Sequence, residues 1–369
     1  MYRRRRNDAV AMEETAAADR LYAAVAAAMD ADPAIDELAV VPSDQLAALG
    51  ARAAGFAVVE HKLAISRASL RRLWAAGLRE LRALLRGGLG ADGPRRMHHA
   101  TRAVLMANTD HYTAWNARKR HLVLPGSLTP QDELRLVDLL LAKHPKSGEA
   151  WSHRRWVLSR VRASAAEGSG DGDLAAAATH EMAVCAAAAR SYPKNYYAWT
   201  HRYWALSRLA PELAASECDA MRQWAAVNTS DHAGLHYRGS AVLLAVAPPV
   251  QCPPRPPDSV GRASSQPGRA AWQQAWEQGS ELQARYPGHE SMWRHRRVLA
   301  WIAHSHAHAL GSAAVDGAAE LQYAASREEL ARAEVAKDSL GEREQRQWHS
   351  EALCASQYSR WARVALNPD

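Results

Sequence analysis

The chain has 369 residues, 48% of them apolar, and a formal net charge of +7. It holds 78 alanines and 13 tryptophans but a single phenylalanine. Alanine is the strongest helix former and β-branched residues are sparse, which argues against a sandwich, a barrel or a doubly wound sheet, and against collagen-like or wholly disordered chains.

Met1 to Arg6 is basic, but Asp8, Glu13, Glu14 and Asp19 follow at once. Organelle presequences are acid-poor, so residues 1–20 are expected to form a flexible basic tail. Residues 20–90 read as helical from their alanine and leucine content, as in Leu70-Arg-Arg-Leu-Trp74, and carry no repeat signature.

From residue 108 onward the chain repeats itself. Five segments align without gaps on Trp115, Trp151, Trp199, Leu235 and Trp293, with Arg118, Arg154, Arg202, Arg238 and Arg296 each three residues later. The anchors are spaced by 36, 48, 36 and 58 residues. Pro145, Pro193 and Pro287 stand six residues before their tryptophans and separate two helices, because proline cannot continue the first. Polar residues such as Ser147 and Asn195 then suit an N-cap. Beyond the cap, Trp151, Arg154 and Leu158 share one helical face, as do Trp199, Arg202 and Leu206.

Each unit is therefore two helices, with units at about 97–130, 131–163, 174–210, 211–246 and 270–310. Such hairpins cannot bury their apolar faces alone and must stack on neighbours. The expected fold is all-α, a right-handed α-solenoid or crescent of antiparallel hairpins forming one domain over residues 21–369. Ser164–Asp173 is a Gly/Ser/Asp-rich loop extension, and 247–269 is a Pro-rich insertion expected to be disordered. Residues 321–366 read as two capping helices.

Chemistry-bearing groups are few. Cys185, Cys218, Cys252 and Cys354 form no CxxC pair, which suits a reducing compartment and a cytoplasmic protein. His304, His306 and His308 alternate, so only the outer two share a helical face, and a solvated helix end is expected in place of a metal site. No apolar run reaches the roughly 18 residues of a membrane span. The tryptophans are read as core, and the arginines as bonding carbonyls or acids of neighbouring hairpins. A base-reading repeat would vary at its reading positions, whereas aromatic and basic positions are the fixed ones here, so no nucleic-acid partner is expected.

The unit, with its clearest copy in Lys194-Asn195-Tyr196-Tyr197-Ala198-Trp199-Thr200-His201-Arg202, resembles the protein prenyltransferase α-subunit repeat. Ile35-Asp-Glu-Leu38, Ser230 to Arg238 and Tyr286 to Arg297 extend the likeness over roughly residues 30–366. They place it nearest to members whose fourth unit lacks tryptophan, as Leu235 does here. The resemblance implies an α-type subunit of a heterodimeric protein prenyltransferase, of the type III geranylgeranyltransferase kind, paired with a Rab-type geranylgeranyltransferase β subunit. It implies zinc in that β subunit, none bound by this chain, a prenyl diphosphate co-substrate, and protein substrates ending in cysteine. Lys194 matches a lysine near the diphosphate and Tyr196 a neighbouring hydrogen-bond donor. Asp231-His232 departs from the asparagine of catalytic α subunits, so diphosphate contacts do not carry over there. A helical-repeat binding scaffold without prenyl chemistry is the alternative.

Overall fold

The computed structural model describes residues 2–366 apart from 52, 88–89, 91, 123–127, 167–170, 249–264, 312–314 and 338. The chain divides into two compact units, residues 1–170 with 186–192, and residues 171–185 with 193–369, where one domain was expected.

The first unit opens with α1 (Tyr2–Ala31), so the stretch expected as a flexible tail over 1–20 lies in a helix. Residues 20–90 are not helical throughout. After α1 come β1 (Glu37–Val41), α2 (Ser43–Ala48), β2 (Phe56–Val59), β3 (Lys62–Ser66) and α3 (Arg67–Gly87). The strands form a sheet of order β1-β3-β2, with β1 parallel to β3 from Glu37↔Lys62 and β2 antiparallel to it from Phe56↔Ile65. Alternation drives this: Leu38, Leu63 and Ile65 are buried, while Glu37 and Lys62 face water and pair at 2.6 Å. Glu60 and His61 make the two-residue turn at φ 49° and 62°, the left-handed pair that a tight hairpin needs. A cavity of about 550 Å³ lies between α1 and this sheet, lined in part by Arg20, Leu46, Gly55, Phe56, Ser69 and Arg72.

The repeat hairpins follow. In the first unit they are α4 (Gly93–Ala107) with α5 (Tyr112–Leu122), and α6 (Pro130–Lys143) with α7 (Gly148–Ala166). Helix α8 (Asp171–Ser191) contributes residues to both units. The second unit continues with α9 (Tyr196–Leu209), a single 3-10 turn (Pro211–Leu213), α10 (Ala214–Val227) and α11 (His232–Val246). Then come α12 (Ser265–Arg285), α13 (Glu290–Ser305), the short α14 (Ala307–Leu310), α15 (Gly317–Val335) and α16 (Glu342–Ala365). The protein is all-α apart from the small sheet. Most of the expected Pro-rich insertion lies outside the described residues, but α12 begins inside its assigned range. Pro267 sits in that helix's first turn, where a missing N–H costs nothing.

Local chemistry sets the helix starts. Thr129 accepts from the Asp132 N–H, and Pro130 fills the first position of α6. Ser147 Oγ accepts from Ala150 N–H at 3.1 Å, Asn195 Oδ1 from Ala198 N–H at 3.3 Å, and Asp231 Oδ1 from Gly234 N–H at 3.1 Å. One turn past Ser147, Asn195 and Asp231 lie Trp151, Trp199 and Leu235, and with Trp115 and Trp293 at the matching positions of α5 and α13 all five anchors are buried. Each indole N–H finds an acceptor: Trp115 donates to the Thr109 carbonyl at 2.7 Å and Trp151 to the Pro145 carbonyl at 2.9 Å. Trp199 donates to Asp231 at 3.2 Å and Trp293 to Glu351 at 3.0 Å. The anchors thus bind the hairpin loops as well as fill the core.

Trp199 stacks with Tyr237 at 5.4 Å and meets Trp224 edge-on at 4.6 Å. Trp199→Ala empties that cluster and frees one oxygen of Asp231. The expected loss is about 3–5 kcal/mol of unfolding free energy, read by urea melts. A variant within about 1 kcal/mol of wild type would remove the anchor role.

Candidate functional site: a buried carboxylate register and an exposed loop

The arginine three residues after each anchor does not face solvent. Arg118, Arg154, Arg202, Arg238 and Arg296 are all buried. Arg118 grips Glu133 of α6 through Nε at 3.0 Å and Nη2 at 2.6 Å. Arg202 reaches Glu217 of α10 at 2.6 Å, and Arg296 reaches Glu320 of α15 at 2.7 and 2.6 Å. Each arginine therefore ties its hairpin to the first helix of the next one. Arg154 bonds Asp138 at 2.7 Å.

The same acids take a second partner from behind. His153 lies 2.9 Å from Glu133, and Tyr237 donates its hydroxyl to Glu217 at 2.8 Å. His201 stands in the same relation to Glu181, at 2.7 Å. In all three pairs the acid precedes its partner by 20 residues. Tyr358 donates to Glu320 at 2.6 Å, so α15 and α16 act as a sixth hairpin rather than as plain caps.

The charge states follow from these contacts. Burial pushes the Glu133 carboxyl up, but the Arg118 charge and the hydrogen bonds from His153 and Arg118 outweigh it and hold the group at about 2. Burial dominates at His153 and lowers it, so a neutral imidazole donates Nε2–H to an ionised carboxylate. On α4, burial and then the Arg118 and Arg102 charges bring His98 down to about 3.

Lys194 and Tyr196 lie elsewhere, in the turn between α8 and α9. Lys194 is exposed at φ +60°, a left-handed conformation that costs a residue with a Cβ roughly 1 kcal/mol. The matching residue of the fifth hairpin is Gly288, at φ +81°. Asn195, fully buried, fixes the helix start immediately after it. Tyr196 is 65% exposed, with Tyr197 at 6.0 Å between ring centroids. Lys194 thus lies in an exposed turn, followed at the start of α9 by two exposed tyrosines.

Sequence reading missed the acids Glu133, Glu181, Glu217 and Glu320. The constant spacing of Glu133, Glu181 and Glu217 from His153, His201 and Tyr237 was the available signal; Glu320 carries none. Cys185, Cys218 and Cys354 are buried, and burial pushes the Cys218 thiol up to about 12. Among the described residues no three His, Cys, Asp or Glu side chains are arranged to hold a metal ion, and no helix is long and apolar enough to cross a membrane.

Helical hairpins tied by a Trp-x-x-Arg register define a helical-repeat protein. Residues 130–161 and 178–209 match the family described as protein prenyltransferase alpha subunit repeat. The chain is 31% identical over 235 residues to the human protein prenyltransferase alpha subunit repeat-containing protein 1, covering 55% of this chain and 58% of the relative. It is also 31% identical to the Danio rerio protein of that name and 30% identical to the Xenopus laevis protein 1-B, in each case over 54% of the relative. The match spans a little over half the length of these relatives.

The buried register predicts acid sensitivity. His98 and Glu133 both have folded pKa values below their ordinary 6.5 and 4.5, so below those values the unfolded chain binds more protons. Stability is full above pH 6.5, falls as His98 resists protonation down toward about 3, and falls further from pH 4.5 toward 2 through Glu133. Urea melts across this range should show a monotonic decline, shallower below pH 6.5 in His98→Gln. Equal slopes in the two proteins would remove His98 from the account.

Proposed function

We propose that the chain is the α-type subunit of a heterodimeric protein prenyltransferase. It supports a β subunit that carries zinc and most of the lipid pocket. The reading is carried by Lys194, an exposed lysine whose backbone is held in a strained conformation just ahead of the exposed Tyr196 and Tyr197. Strain of this kind persists where the surrounding structure over-determines it, and it clusters at sites that bind or react.

Zinc, when bound in the partner, supplies an activated cysteine thiolate. What this chain contributes is positioning and charge. The Lys194 ammonium would stand against the prenyl diphosphate and neutralise charge as the carbon–oxygen bond breaks. The Tyr196 hydroxyl would donate a hydrogen bond to the same group. The β subunit is assigned as Rab-type, the lipid as geranylgeranyl and the setting as cytoplasmic. The likeness to protein prenyltransferase alpha subunit repeat-containing proteins supports the α-type subunit in general; these finer assignments rest on the resemblance of the repeat alone.

The purified chain alone should transfer no prenyl group to a peptide ending in cysteine, and should do so once a Rab-type β subunit is added. Transfer by the chain alone, or none after a complex has formed, would overturn the proposal. Within the complex, Lys194→Gly removes the ammonium and relieves the positive φ. Turnover should fall tenfold or more, about 1.4 kcal/mol of transition-state stabilisation, while the melting temperature holds or rises. Unchanged turnover would make Lys194 a surface lysine.

A further inference from the structure

Among the described residues, the carboxylate register has a gap at Arg238. Arg238 is 0% exposed, and none of its three guanidinium nitrogens has a hydrogen-bond partner. His295 is also buried; its ring meets the Leu235 backbone, and neither ring nitrogen has a side-chain partner. Counting back 20 residues from His295, as from His153 to Glu133 and from His201 to Glu181, arrives at Ala275 on α12. Counting forward, Arg238 should tie α11 to the first helix of the next hairpin, which is α12 as well. The two groups that elsewhere share one carboxylate are both present, and the carboxylate is not.

The first hairpin shows that the gap is not a general loss. There the corresponding positions are Met97 and Ala117, so acid and imidazole are both replaced by apolar residues. In the fifth hairpin only the acid has gone. His295 packs beside two glycines: a Cβ built on Gly279, one turn beyond Ala275, would lie 3.7 Å from its Cδ2, and one built on Gly239 would lie 3.7 Å from its Nδ1, with the Val298 side chain nearer at 2.8 Å. Besides Arg238, the groups bearing on the histidine are the Leu235 backbone and His236. Those bearing on the arginine are the Cys218 thiol and Arg222. None is an anion. Burial lowers Arg238 only to about 10, so it is a cation at neutral pH. An uncompensated buried guanidinium is strongly destabilising, whereas an anion bound between it and an imidazole N–H would restore the missing bridge.

We propose that α11, α12 and α13 enclose a binding site for a small monovalent anion of chloride size, held by Arg238 and His295 where the truncation at Ala275 removes the carboxylate arm. The anion is a structural ligand of the second unit. It is independent of the prenyl-transfer reading, because it lies in the buried register rather than in the Lys194 loop.

The test is a thermal melt of the full chain in sodium chloride, with sodium gluconate replacing it at constant ionic strength. A ligand that binds only the folded state raises the melting temperature with its concentration, and a rise of about 2 °C or more is expected across the series. Arg238→Met, similar in length and uncharged, should abolish the response. Ala275→Glu should supply the acid internally, giving a higher melting temperature in gluconate and no gain from chloride. A wild-type protein indifferent to chloride overturns the proposal. So does a chloride response that survives in Arg238→Met, even if Ala275→Glu fails to fold.

Discussion

One buried carboxylate shared between successive hairpins is the interaction on which the repeat depends. Glu133 and Glu217 each stand between an arginine from the hairpin before and a histidine or tyrosine from their own hairpin. Replacing such a group by a well-packed apolar one is often neutral, whereas breaking it by removing one partner costs about 3–5 kcal/mol. Its value here lies in register. Alanine-rich helices offer few large side chains to fix how one slides past another, and a bidentate arginine on a fully buried acid tolerates little displacement. The tryptophans then fill the volume that alanine leaves, and their indole N–H groups close the loops onto the core.

That stiffness reaches the surface at the helix entries. Asn195 is buried and caps α9, Trp199 bonds Asp231 in the next loop, and Asp231 caps α11. The Lys194 turn is thus held from the core outward, so a left-handed lysine persists where Gly288 serves in the fifth hairpin. A loop so fixed suits a charge that must meet a ligand held largely by another chain, since little ordering entropy remains to be lost on assembly.

The hairpins were legible because tryptophan, proline and arginine recur at fixed offsets and each has a single structural use. The small sheet was not. Glu37-Leu-Ala-Val-Val41 and Lys62-Leu-Ala-Ile-Ser66 are short β-branched runs within a stretch whose alanine and leucine content dominates any window average. The buried acids were hidden for a different reason. A glutamate on an amphipathic helix reads as a solvated residue, and only its 20-residue spacing from a histidine or tyrosine marks it as core. Lys194 and Tyr196 were visible as a motif, but the strain on Lys194 belongs to φ, which no residue type encodes.

The fourth hairpin shows how the register survives loss of an anchor. Leu235 stands where the other units have tryptophan, leaving space for an indole. Trp224, on the preceding helix α10, occupies that region: its ring lies so close to Gly234 that a Cβ there would come within 2.1 Å of it. Trp224 meets Trp199 edge-on, and Leu235 joins it in a cluster with Ala225, Leu282 and Met292. One aromatic ring has been exchanged between two helices of one hairpin, and Gly234 is the residue that permits it. The volume is conserved while the side chain comes from a different position, which core packing tolerates. The arginine of the same unit has no such substitute. Volume can be supplied from any neighbouring helix, but a countercharge must stand within hydrogen-bond reach of Arg238, and Ala275 cannot provide one.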